Sequence, residues 1–543
     1  MRKAISKVVA LVMVLTMMLS MSINVFAAGE TGTLTINNTT AGKSIDTYQL
    51  FSATKSGTNV AYTLNAGFEG YFKANVATCN GKEGEALSEA AYTYVAGLSE
   101  TARTTFAKNL LGWILDNSTA VADLKKTTAS TATSTTISDL AYGYYVVYPV
   151  GATNITGTGL STPAMLVDIT NATATITMKS QYPTVEKGIV EHNGGVVVDD
   201  SWDTVHDMEL EALTGDLTAT DVAVGDTVRF RLTSTVPDMT GYDSYTFKFH
   251  DTLSAGLTYK KIVSVKVGNT TLTLDNSETP AKNTYKFTPN GQNLTIELNQ
   301  FIDYKNQVGA TVEVLYDATL NENAVVGMNP NTNSATVEYS NDPTNGGTGT
   351  SEPSIVNVHT FDFTIFKFHG EPKEALAGAE FELYAADGTT KINLIDEGEG
   401  VYRQATATEA AVGNFTSAVI VSDADGKVQV KGLDAGTYIL KETKAPEGYN
   451  KLVGDVTIVI TPAYDGTTGL LTKVDVSYTY NGVTNASTVT DGTNSPEVPV
   501  ENKSGSILPD TGSTGTILFT IFGVLVIAAM VTSSIISKKK KRA

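Results

Sequence analysis

Apolar and polar residues alternate with a period of two in short runs along most of the 543-residue chain. Gly32-Thr33-Leu34-Thr35-Ile36 sets the pattern, with apolar residues between threonines, and predicts a half-buried strand. Tyr142 to Tyr148 and Ala174 to Met178 return to strand character. Val222 to Val236 contains Gly225-Asp226-Thr227-Val228-Arg229-Phe230-Arg231-Leu232, and Tyr245 to His250 and Thr311 to Tyr316 alternate as cleanly. Phe361 to Lys367, Glu380 to Tyr384 and Val456 to Ile460 do so again. Around Glu85 to Asn117 the period changes, and Phe106, Leu110, Leu111 and Ile114 share one helical face. Short strands at regular spacing, parted by Gly and Asp turns, predict β-sandwiches. The fold class expected is mainly β, in tandem sandwiches, with helical insertions in the first domain.

Two stretches depart from this pattern. Arg2, Lys3 and Lys7 precede an apolar run from Val8 to about Leu19, and Ala27-Ala28 follows. That is the layout of a secretory signal peptide, residues 1–28. Near the other end, Thr516 to Ser537 is 22 residues without a charge, followed by Lys538 to Lys541 and Arg542. Such a run is long enough to cross a hydrocarbon core of about 30 Å, with the basic cluster held on the cytoplasmic side. The length between the two ends exceeds one core and predicts three domains, 29–180, 181–360 and 361–503, with 504–543 as the tail. Asp342 to Pro353, rich in Gly, Thr and Pro, reads as a loop near the end of the second. Asp423-Ala424-Asp425-Gly426 reads as an Asp-Gly hairpin turn, because the spacing of a calcium loop with its terminal Glu is missing.

Charge and cysteine content narrow the function. The two ends carry eight basic residues and no acidic one, so the formal net charge of −19 becomes −27 once they are removed. An acidic surface without basic runs argues against nucleic acid or anionic lipid as a partner. The single cysteine, Cys79, cannot form an internal disulfide, although exported β-rich proteins often carry them. Either the cores suffice alone or another covalent staple is used. His192, His206, His250, His359 and His369 have no metal-ligand spacing. No metal or cofactor is expected, and the chain does not read as an enzyme.

Leu508-Pro509-Asp510-Thr511-Gly512, placed just before the apolar run and basic tail, resembles the LPXTG cell-wall sorting signal of Gram-positive surface proteins. The resemblance implies that a sortase attacks the carbonyl of Thr511 and releases everything from Gly512 onward, so that the apolar segment retains the chain only transiently. Tyr438-Ile439-Leu440-Lys441-Glu442-Thr443-Lys444-Ala445-Pro446-Glu447-Gly448-Tyr449 resembles the E-box of Cna-B-type, Ig-like domains in pilins and adhesins. Gly432 to Gly436 and Val498-Pro499-Val500-Glu501-Asn502 fit the same family. In that family a Lys on the first strand and an Asn on the last form an intramolecular isopeptide bond assisted by the E-box Glu, which here implies Lys367, Asn502 and Glu442.

The chemistry is sound on its own terms. Burial lowers the pKa of a Lys amine and makes it nucleophilic, while it raises that of a carboxyl, which can then polarise the Asn amide. Phe363, Ile365 and Lys367 fall on one strand face, and Leu440 and Glu442 on another. Left unbonded, they would be an edge Lys and a solvated Glu. Closing a loop of 134 intervening residues would remove on the order of 5 kcal/mol of unfolded-state entropy on the disulfide model.

The second domain resembles the Cna-A-like middle domains of the same proteins. By analogy Lys187 is the amine donor, Asp226 the acid and Asn333 the acceptor, with Asn341 and Asp251 open as alternatives. The first domain has no Glu in the E-box place and is expected to carry no bond. The family's Tyr-Pro-Lys motif is absent, since Tyr148-Pro149 is followed by Val150. Lys179 occupies the equivalent place as the lysine joined to Thr511 of another subunit, and Lys187 is the alternative.

The overall pattern resembles a sortase-assembled major pilin: a structural subunit of a covalent surface pilus that supports adhesion. The resemblance implies as partners a class C pilin sortase, a housekeeping sortase, other copies head to tail, accessory tip or base pilins and peptidoglycan. The competing class is a monomeric wall-anchored adhesin that binds a host ligand.

Overall fold

The strands form where alternation buries one face, and they assemble into six sheets. The computed structural model describes residues 30–153, 162–192, 195–196, 216–343, 346–466, 468–492, 494–505 and 515–540. The expected signal peptide and the motif Leu508 to Gly512 lie outside the described residues, as does His206.

In the first domain a five-stranded sheet is built on Ser44–Ser56 and Gly143–Pro149. Helices cover one of its faces, where Tyr48, Phe51, Val146 and Tyr148 are buried with Phe72, Phe106, Leu110 and Ile114. From the alternate positions Tyr145 and Val147 meet Leu34, Ile36 and Ile137 of a three-stranded sheet. The helical stretch expected around Glu85 to Asn117 is two helices, Gly84–Ala96 and Glu100–Asp116. Ser99 restarts the second by accepting the amide of Ala102, which satisfies one of the open N–H groups of a helix start.

The middle domain is two facing sheets. One runs through Glu186–His192, Thr227–Thr235, Thr311–Leu320 and Leu257–Val267, the other through Ser354–His359, Asn331–Ser340, Phe247–Leu253 and Asn293–Leu298. The buried residues do not divide at 180, because one apolar cluster continues through Met178, Tyr182 and Val185 from the first domain into the middle one.

The third domain is also a sandwich. Phe361–His369 lies between Lys427–Leu433 and Glu497–Glu501 in one sheet, and Gly436–Lys444 lies between Glu380–Ala385 and Val456–Tyr464 in the other. Asp423 to Gly426 is a turn, with Asp423 accepting the amides of Asp425 and Lys427. It is not a hairpin, however, because the strands it joins, Ile420–Val421 and Lys427–Leu433, pair in different sheets.

Residues Gly515–Lys540 form one helix. Among the described residues no helix is long and apolar enough to cross a membrane, so the span expected over 516–537 stands here as a helix only.

One turn holds the first strand of the third domain in place. The amide of Lys367 donates to the carbonyl of Gly426 at 2.6 Å. Gly426 has φ +69°, and a Cβ there would press on the carbonyl of Lys367. Gly426→Ala should therefore destabilise this domain by about 1–3 kcal/mol in denaturant unfolding. An unchanged midpoint would show that the turn has room to spare.

Candidate functional site

Alternation in Phe361–His369 points Phe361, Phe363, Ile365 and Lys367 into the sandwich, and all four are fully buried. The last strand pairs parallel with this one, with Lys367 opposite Val500 and Phe368 opposite Glu501. The Asn502 amide then donates to the carbonyl of Phe368 at 3.0 Å. Asn502 is thus buried two residues beyond Val500, the partner of Lys367. From the other sheet, Leu440 and Glu442 face inward.

The three polar groups meet there. Lys367 Nζ lies 3.2 Å from Glu442 Oε1. Glu442 Oε2 accepts from Asn502 Nδ2 at 3.1 Å and from the Leu452 amide at 2.7 Å. Lys367 Nζ, Glu442 Oε1 and Asn502 Oδ1 have no well-formed hydrogen bond. Buried polar atoms lacking a well-formed hydrogen bond are costly and rare, and here three share one spot, two of them facing each other as the ion pair. Burial, partly opposed by Glu442, pushes the Lys367 amine down to about 8. Such an amine sheds its proton far more readily than an exposed lysine, which makes it more available as a nucleophile.

A second group with the same composition lies in the middle domain, built across its two sheets. Lys187, on Glu186–His192, and Tyr316, on Thr311–Leu320, come from one sheet. Asp251, on Phe247–Leu253, and Asn333, on Asn331–Ser340, come from the other. Lys187 Nζ donates to Asp251 Oδ2 and, at 2.8 Å, to the Tyr316 hydroxyl. That hydroxyl donates to Asp251 Oδ1 at 2.9 Å and accepts from Asn333 Nδ2 at 2.6 Å. Asn333 Oδ1 has no partner. Burial lowers the Lys187 pKa and raises that of Asp251, each opposed by the other's charge. The pair is thereby driven towards amine and neutral acid.

The structure therefore brings Asp251 to Lys187, not Asp226. Asp226 sits in the turn before Thr227–Thr235, where its Oδ2 accepts the Ala223 amide at 3.0 Å, and burial pushes it up to about 6. Asn341 lies in the loop after Asn331–Ser340, and its amide donates to Gly347. Sequence reasoning missed Tyr316, and its alternation with Val312, Val314 and Ala318 marks only a core position.

Among the described residues, Lys187 and Lys367 are the only buried lysines. Lys179 is exposed, between buried Met178 and Ser180. The Met178 amide is held by the Asn37 carbonyl at 2.9 Å, and Gln181 bridges to Thr153. The backbone is fixed on both sides and the side chain projects outward. Lys43, at the same junction, donates to the Tyr339 hydroxyl at 2.6 Å.

Comparison with known proteins gives three matches along the chain. Residues 224–343 match the Gram-positive pilin backbone subunit 2, Cna-B-like domain, where a Cna-A-like domain was expected. Residues 361–475 match the SpaA prealbumin-like fold domain, and 501–543 the LPXTG cell wall anchor motif. The trypsin-resistant surface T6 protein of Streptococcus pyogenes serotype M6 is 25% identical over 390 residues, 60% of this chain and 67% of the relative. Among solved structures, the T6 backbone pilin of serotype M6 Streptococcus pyogenes superposes with a TM-score of 0.45 at 17% identity, covering 88% of this chain and 99% of that one. The full-length major pilin SpaD of Corynebacterium diphtheriae gives 0.39 at 15%, covering 88% and 98%.

The buried amine has a pH signature. As a free amine, Lys367 has a folded pKa of about 8, below the 10.5 of an unperturbed lysine. The unfolded chain then binds more protons, so stability rises with pH through that window. The third domain of Asn502→Ala should gain roughly 3 kcal/mol between pH 8 and 10.5, at about 1.4 kcal/mol per unit. Adding Lys367→Met should flatten the profile, as read by denaturant titrations.

Proposed function

Because the chain belongs to the backbone pilins of Gram-positive bacteria and carries their cell-wall anchor, we propose that it is the shaft subunit of a surface pilus joined by sortase through Lys179 and Thr511. Each of the last two domains is stapled by its own Lys–Asn amide, Lys367 to Asn502 and Lys187 to Asn333. Glu442 assists the first and Asp251 the second. The three domains are taken as 29–180, 181–360 and 361–503, the first two sharing one apolar cluster across 180. Pilus shafts of this kind support adhesion by carrying load, and no reaction is turned over beyond the single bond-forming event in each domain.

The observation that carries this reading is the repeated buried trio. Two sandwiches each hold a lysine with a fully buried side chain, a buried carboxyl beside its amine, and a buried Asn whose carbonyl oxygen has no partner. Leaving amine and carboxyl buried as ions is expensive. Converting amine and amide to a new amide with loss of ammonia removes the charge permanently. Proximity supplies most of the rate, because the folded sheets hold the groups together.

The linking step asks for the opposite environment. An amine that must reach the acylated end of another subunit has to be exposed, and Lys179 is, on a fixed backbone. A proton must still leave it, and the sortase site supplies that.

Two measurements test the proposal. The secreted chain should weigh one ammonia less for each of the two internal bonds, and Lys367→Ala and Lys187→Ala should each restore one. A mass equal to the uncyclised sequence would eliminate both. In wall extracts, Lys179→Ala should collapse the high-mass ladder to monomer, whereas Lys43→Ala should leave it. A ladder that survives loss of Lys179 and vanishes with Lys187→Ala would move the linkage to Lys187.

A further inference from the structure

We infer that the Tyr316 hydroxyl is a catalytic residue of the middle domain, relaying a proton from Lys187 Nζ to the departing nitrogen of Asn333. The inference rests on the proposed Lys187–Asn333 bond.

Forming that amide needs one proton to leave the attacking nitrogen and one to reach the leaving nitrogen. Tyr316 touches both. Its oxygen is 2.8 Å from Lys187 Nζ and 2.6 Å from Asn333 Nδ2. Both distances suit proton transfer.

The third domain shows why a hydroxyl is needed here. Glu442 spans its site alone, with Oε1 at 3.2 Å from Lys367 Nζ and Oε2 at 3.1 Å from Asn502 Nδ2. One oxygen can take a proton while the other gives one. Asp251 is a methylene shorter, and its two oxygens are used by Lys187 and Tyr316. The tyrosine, not the carboxylate, meets Asn333. Asp251 and Tyr316 together cover the distance that Glu442 covers by itself.

The step balances without a co-reactant. If the lysine enters as ammonium, its extra proton passes to Asp251. The neutral Nζ adds through its lone pair to Asn333 Cγ, and the bond from Cγ to Nδ2 breaks with its electron pair going to Nδ2. Once Nζ has added, the Nδ2 lone pair is free; Tyr316 turns its hydroxyl proton from Asp251 to Nδ2, which leaves as ammonia, and takes one proton from Nζ in its place. Tyr316 ends as it began. Burial favours the protonated hydroxyl, so the tyrosine holds a proton to give.

The test is the rate at which newly made full-length chain acquires the Lys187–Asn333 cross-link, followed by peptide mapping after pulsed expression. The Lys367–Asn502 link in the same molecules reports folding. Tyr316→Phe keeps the ring and should slow the middle bond on the order of 10²-fold while leaving the third-domain bond unchanged. Fluorotyrosine placed at 316 keeps both shape and hydroxyl but makes the latter more acidic, and the rate should follow that acidity. If wild type forms the bond and Tyr316→Phe matches its rate, the relay is overturned while the staple stands. A slow Phe variant with a fluorotyrosine rate equal to wild type would likewise overturn it, since the hydroxyl would then only position its neighbours. Absence of the cross-link from wild type would instead remove the underlying bond.

Discussion

A lysine ammonium sealed inside an apolar sandwich is under pressure to lose its charge. A lysine ammonium taken out of water carries a penalty of several kcal/mol even with a carboxylate beside it, and no side-chain surface remains at Lys187 or Lys367 through which water could recover it. The arrangement is tolerable if the proton is shed, and settled if the amine is acylated. Each feature of the two sites follows from that constraint. The carboxyl sits within reach because it must take or share the proton. The asparagine is buried beside that group, and under the proposed reaction its amide is the acyl group on offer.

The two sandwiches meet this demand with different geometry. In the third domain amine and acceptor lie on parallel neighbours of one sheet, and the acid comes from across the core. In the middle domain the two sheets supply the two sides of the proposed bond, Lys187 from one and Asn333 from the other. A cross-sheet bond is longer to assist, and an aspartate has less reach than a glutamate. Tyr316 fits that gap, held by Phe230 stacked at 5.4 Å and by the register of its strand against Thr227–Thr235. Arg229 pairs opposite Asp317 in that same register, its guanidinium bonded to both carboxylate oxygens at 2.8 and 3.0 Å, which pins the strand one residue from the hydroxyl.

Much of this was legible in the sequence because alternation is a strong signal. A Lys in phase with Phe361, Phe363 and Ile365 called for an explanation, and the resemblance to isopeptide-bonded domains made it a buried amine and not an edge lysine. The same rule places Asp251 in phase with Phe247, Phe249 and Leu253, and the structure brings it, rather than the Asp226 expected by analogy, to Lys187. Asp226 precedes its strand and serves a turn. Tyr316 could not be found this way, since a tyrosine among inward-facing residues is ordinary core. Only the cross-strand neighbours show what its hydroxyl meets. The sheet-to-sheet turn at Asp423 to Gly426 was hidden for a related reason: local residues specify a turn, while the partner strands are decided by distant pairing.

The path of force follows from the proposed linkage together with the two proposed staples. Tension arriving from a neighbouring subunit enters at Lys179 and runs a few residues to Lys187. There the side-chain bond carries it to Asn333, leaving 188–332 outside the loaded path. It continues along the backbone to Lys367, crosses to Asn502, and leaves towards Thr511, so that 368–501 is bypassed as well. The first domain hangs from Lys179 and bears none of it. A fold that is never pulled needs only its apolar core, and the first domain keeps a helix-covered one, with Cys79 buried in it as a free thiol. Buried lysines occur, among the described residues, only in the two domains that tension must cross. Denaturation by force then has nothing to extend in those domains except the short segments outside the bonds, since unfolding the enclosed strands adds no length between the loaded ends.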